Sequence, residues 1–131
     1  MKFPALLAVL PLTLSACSAP QHTSGSRQAG EQWLFTKTQA PAINLTGKWR
    51  SPEFGYAAFV QGDARINGQL DKYTAYGRAS GSKAYLLLSD GAQNYYTAIL
   101  SMPNKNEMTG FYSTSVPFDP ANQKAVHFRL Q

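Results

Sequence analysis

Residues 45–70 read LTGKWRSPEFGYAAFVQGDARINGQL. Glycine sits inside strand-forming sequence here at Gly47 and Gly68, and two residues after each stands a large apolar side chain, Trp49 and Leu70. The same spacing returns at Thr109-Gly110-Phe111-Tyr112, and Tyr76-Gly77-Arg78 is a looser fourth case. Glycine weakens a strand interior, so it is kept where the sheet bends sharply or another group comes close to the backbone. A small, tightly curved barrel needs such points on several strands. Gly47 would then bend the first strand.

From Leu45 onward, strand-like runs alternate with turn signals. The spacing predicts strands over 45–51, 54–61, 64–70, 72–79, 83–89, 94–102, 107–115 and 124–130. Between them lie turn formers such as Ser51-Pro52, Gly62-Asp63, Ser80-Gly81-Ser82, Asp90-Gly91 and Asp119-Pro120. Val126, Phe128 and Leu130 share one parity against Ala125, His127 and Arg129, and Ala98, Leu100 and Met102 alternate with Thr97, Ile99 and Ser101. No stretch carries a helical apolar period. The expected domain, 44–131, is therefore all-β: a small antiparallel eight-stranded up-and-down barrel, with a sandwich as the competing architecture. Closure removes the exposed edges that invite aggregation. Eight strands enclose an interior that side chains fill, or that holds one small ligand.

The amino end reads differently. MKFPALLAVLPLTLSAC has one basic residue, Lys2, then an apolar run from Phe3 to Leu14 interrupted by Pro4 and Pro11. That run is far shorter than the ~20 residues of a bilayer-spanning helix, and it reads as a signal peptide over residues 1–16. Leu14-Ser15-Ala16-Cys17 resembles the lipobox of bacterial lipoproteins. The resemblance implies that the Cys17 thiol receives diacylglycerol, that the chain is cut before it, and that the new amine is acylated, for instance by palmitate. Cys17 is the only cysteine, so it has no intrachain disulfide partner. In Gram-negative members, Ser18 rather than aspartate after the cysteine favours the outer membrane. Several acyl chains anchor far more firmly than one. Residues 17–43 would then be the lipidated cysteine and a tether. SAPQHTSGSRQAG (18–30) reads as flexible, and 31–43, with Trp33-Leu34-Phe35, as a short helix or strand ended by Pro41.

The totals narrow the function. The chain has 131 residues, is 44% apolar and 15% charged, and carries a formal net charge of +5. That is one packed domain rather than a disordered chain. Its lysines and arginines are spread without a run, which argues against a nucleic-acid partner. The histidines are His22 in the tether and His127 in the last strand, and the carboxylates fall mostly in turns, where aspartate serves turn chemistry. No nucleophile, metal-ligand or phosphate-loop pattern is present. The expectation is a non-enzyme with no cofactor and no metal.

Two further resemblances attach to the barrel. LTGKWR is similar to the G-x-W opening of the calycin superfamily, the barrels of lipocalins and avidins. That likeness implies that Gly47 and Trp49 close one end and that a basic residue of the last strand, Arg129, packs across the indole. The residues avidins use for biotin are not matched, since no tryptophan follows Trp49. RASGSKAY (78–85) is similar to the serine-glycine loop of small lipid-anchored periplasmic lysozyme inhibitors, which would make Ser80, Gly81, Ser82, Lys83 and Tyr85 a partner loop. The loop is one residue longer here, and that family's frequent cysteine pair is absent. The expectations are thus an envelope lipoprotein that binds or assists assembly, its partners the membrane and an envelope protein. The alternatives are a carrier of a small apolar ligand in the lumen, and a periplasmic lysozyme inhibitor. A filled lumen counts against the carrier, and a loop 80–85 held flat against the barrel counts against the inhibitor.

Overall fold

The computed structural model describes residues 22–92 and 94–131. The signal peptide and Cys17 lie outside the described residues. The chain runs as helix α1 (His22–Phe35), then strands β1 (Gly47–Ser51), β2 (Gly55–Gly62), β3 (Arg65–Leu70), β4 (Tyr73–Ser80), β5 (Lys83–Ser89), β6 (Tyr95–Asn104), β7 (Glu107–Ser113) and β8 (Lys124–Leu130). Each strand pairs antiparallel with the next. β8 returns to β1 through Trp49↔Leu130 and Arg50↔Arg129, so the sheet closes in sequence order. The architecture is an up-and-down barrel and not a sandwich. All eight expected strands are present, with ends shifted by at most two residues; β6 gains Pro103 and Asn104 past a register shift.

The strand glycines face the lumen and mark close approaches. An added Cβ at Gly68, Gly77 or Gly110 would stand 2.9 Å from the Cα of Phe59, Leu86 or Leu100 respectively. A carbonyl of the same neighbouring strand would be closer still. Real Cβ atoms do not tolerate this, so the backbone curvature at these three points requires glycine. Gly47 has a different reason, a φ of +145°, with the Leu130 side chain beside it.

The lumen is filled. Trp49, Phe59, Ile66, Leu70, Leu86, Leu88, Leu100, Met108, Val126 and Phe128 point inward and are at most 3% exposed. Alanines at 57, 75, 79, 84 and 98 make room for the larger neighbours. At one end the Trp49 indole N–H donates to the Leu45 carbonyl at 2.9 Å. There the Gln61 amide is saturated: it accepts from the Leu45 N–H and donates to the Ile43 and Asp63 carbonyls. A buried amide with every partner in place ties the entering chain to the barrel instead of destabilising it. At the other end Phe54, Tyr73, Tyr96 and Tyr112 pack edge to face, with centroids 5.0 to 6.2 Å apart.

Arg129 does not close the barrel. Its parity puts it on the outer wall, where it is 76% exposed and pairs with Glu107 at 3.3 Å. Leu130, not Arg129, lies against Gly47.

The segment read as a flexible tether is helical from His22. It carries no apolar period because only part of it is sealed against the barrel. Leu34 is buried, and Gly30 lets the helix approach Leu87 so closely that a Cβ would meet its Cδ1 at 2.6 Å. Leu87 faces outward, between the inward Leu86 and Leu88, and is fully covered. Trp33 sits edge-on to Tyr85 at 5.8 Å, and Lys37 Nζ stands 4.6 Å from the Tyr85 ring centre. Since Gly30 meets Leu87 and Trp33 meets Tyr85, α1 runs antiparallel to β5. Its start therefore points to the end closed by the tyrosines.

Replacing Gly77 by alanine is expected to lower unfolding stability by about 2–3 kcal/mol. Gly62→Ala, which meets nothing within 4 Å, should stay within about 0.5 kcal/mol of the parent. Urea unfolding of the two variants checks this, and equal midpoints would refute the close-approach argument.

Candidate functional site

The β4–β5 hairpin, expected as a partner loop, is pinned by the chain that leads into the barrel. Ser80 Oγ accepts the Gln39 N–H at 2.9 Å. Gly81 donates to the Ala40 carbonyl at 3.1 Å and accepts from the Ala42 N–H at 2.8 Å. Tyr85 lies half-buried under Trp33 and Lys37. Only Ser82 and Lys83 stay exposed, and Lys83 Nζ donates to Ser101 Oγ at 3.0 Å. The five residues are brought together, but with the serine of the resemblance engaged within the chain.

A more open place lies on the outer wall, beside the last turn of α1. Glu31, Leu34, Phe35, Arg65, Asn67, Tyr76 and Arg78 border a groove of about 390 Å³. Arg65 and Arg78 stand directly opposite each other on β3 and β4. Neither has a carboxylate within 4.0 Å among the described residues. Arg78 Nε is buried without a hydrogen-bond partner. Glu31, the carboxylate bordering the groove, is taken: its Oε2 accepts from Arg27 Nε at 3.4 Å and from the Tyr76 hydroxyl at 3.3 Å. Burial, then the Glu31 charge, raises the Tyr76 pKa above the usual phenol value and keeps that ring neutral. Phe35 is 72% exposed at the groove's rim.

A second opposed pair, Arg50 and Arg129, provides a contrast. There Glu107 answers Arg129, and hollows of about 220 and 380 Å³ border the pair. His127 approaches Glu53 at 3.8 Å, on the outer wall. No three His, Cys, Asp or Glu side chains cluster among the described residues.

The sequence reading missed the groove. Arg65 and Arg78 are thirteen positions apart, and only the hairpin register brings them together. The run Leu86-Leu87-Leu88 was the available signal: three apolar residues in a row mean that the outward face of β5 is covered too.

Glu53 supplies a pH prediction. The His127 backbone N–H and the Ser51 hydroxyl, each at 3.0 Å, hold its carboxyl below the usual value of 4.5. The folded-state pKa is depressed, so the added stability is present above 4.5 and lost as pH falls through the lower folded value. Glu53→Gln should therefore lose less stability on acidification than the parent, and parallel curves of melting temperature against pH would contradict this. Compared with protein-family models, with curated proteins and with solved structures, the chain matches none significantly.

Proposed function

We propose that this chain is a lipid-anchored envelope lipoprotein that acts by binding or assisting assembly, not by catalysis, and that it engages an envelope protein through the outside of its barrel. The observation that carries this reading is the lumen packed with side chains beside an open wall groove. Binding energy has to come from exposed surface when the interior has no room. The filled lumen favours this over the carrier reading, and the engagement of Ser80 by Gln39 favours it over the inhibitor reading.

Anchoring rests on LSAC, and localisation in the outer membrane on Ser18. No described helix is long and apolar enough to cross a membrane. Cys17 stands five positions before His22, a reach of at most ~18 Å when fully extended. Under this reading the tyrosine-closed end lies towards the membrane. The groove lies at the other end of α1, about 20 Å along the helix axis.

The anchor is tested in cells by labelling with radioactive palmitate and by membrane fractionation. The parent should be labelled, cleaved and membrane-bound, whereas Cys17→Ala should be unlabelled and either uncleaved or soluble. A Cys17→Ala chain that still fractionates as mature membrane protein would overturn the lipoprotein reading.

A further inference from the structure

We infer that the groove between the end of α1 and the outer face of β3 and β4 binds an acidic segment of a partner protein, with a carboxylate held between Arg65 and Arg78 and a neighbouring apolar side chain laid on Phe35. This rests on the reading of the chain as a binding lipoprotein and names the chemistry of its partner.

Like charges directly opposite on a sheet destabilise it. Among the described residues the barrel wall has two such pairs, and it treats them differently. Arg129 is answered by Glu107. Among the described residues Arg65 and Arg78 have no carboxylate within 4.0 Å, and the adjacent Glu31 is committed to Arg27 and Tyr76. Burial of Arg78 Nε without a partner compounds the cost. Two guanidinium forks at one point fit a planar carboxylate, which takes paired N–H donors. A bound carboxylate removes the repulsion as well as adding hydrogen bonds. Next to the arginines, Phe35 is exposed while its neighbour Leu34 is buried, so the rim offers an apolar seat beside the charged one. A ligand matching both is amphipathic and anionic.

Position selects between sources of that chemistry. The tether end of α1 is about 20 Å from the groove, so the anchored chain turns the arginines away from its own membrane surface. An acidic polypeptide reaches them there more readily than a lipid headgroup does.

The test uses the full mature chain in neutral detergent, with nitrogen-15 in its arginines. The probe is the peptide acetyl-Phe-Glu-Leu-Asp-Phe-amide; its control replaces both acids by their amides. The Arg78 Nε–Hε resonance is followed by NMR. The acidic peptide should shift it saturably, and the amide control should bind at least about tenfold more weakly. Arg65→Gln with Arg78→Gln should weaken binding to the level of the control, measured by fluorescence of a dye-labelled peptide. Each single variant should keep or raise the melting temperature, because the repulsion is relieved.

The inference is overturned by any of three results: equal binding of the amide control, no shift up to about 1 mM peptide, or a lower melting temperature on removing either arginine. Binding of phosphatidylglycerol vesicles through the same arginines, with no response to peptide, would assign the groove to lipid and also overturn it. The peptide assay does not involve Cys17, so loss of the anchor in the palmitate experiment and loss of peptide binding are separate failures.

Discussion

Three places where a neighbouring backbone lies against a strand shape this molecule. At Gly68, Gly77 and Gly110 there is no room for a Cβ, because the adjacent strand crosses where it would stand. Closing eight short strands into a narrow tube forces such crossings, and glycine alone accommodates them. Once the tube is that narrow, its interior is decided as well. Ten large inward residues and five alanines occupy it and leave it closed. The ends are sealed by different means: a buried amide and an indole at one, edge-packed aromatic rings at the other. The proposed binding is thereby left to the outer surface.

That surface is not uniform. Where α1 lies, the wall behaves as a second small core, with Leu87 as its floor and Leu34, Gly30 and Trp33 above it. The same helix creates the groove at its own end. Charge is also unequal along the barrel axis. The loops near the start of α1 carry Glu53, Asp71, Asp90 and Asp119 against Lys72 and Lys124, whereas the wall at the far end carries the opposed arginines. Asn94 and nearby backbone N–H groups hold Asp90 ionised below the usual carboxylate range, so that end stays acidic at moderate pH. An acidic partner would meet the arginine end.

Strand positions, turns and closure were legible because each rests on local chemistry: alternation, turn formers, and glycine where alternation alone would not place it. Trp49 as a plug came from the resemblance to calycins, and its indole is buried. Arg129 was not readable as a plug, since its parity already opposed Val126, Phe128 and Leu130, and the resemblance to calycins spoke for it more strongly than the alternation did. A short helix or strand was expected around Trp33-Leu34-Phe35, but the helix from His22 to Gly30 escaped because Gly25, Gly30 and the surrounding polar residues are weak helix formers; its stability comes from tertiary contact with Leu87 and Tyr85. The groove escaped for a related reason, since opposed side chains exist only after the register is set.

The barrel is closed and full, which leaves its outer surface for the proposed binding. Quenching of Trp49 by a brominated fatty acid tests this directly, in a Trp33→Phe background where Trp49 is the sole remaining tryptophan. With the indole buried among packed side chains, added lipid should give no saturable quenching. Stoichiometric, saturable quenching would show that an acyl chain enters the lumen, and would contradict the account.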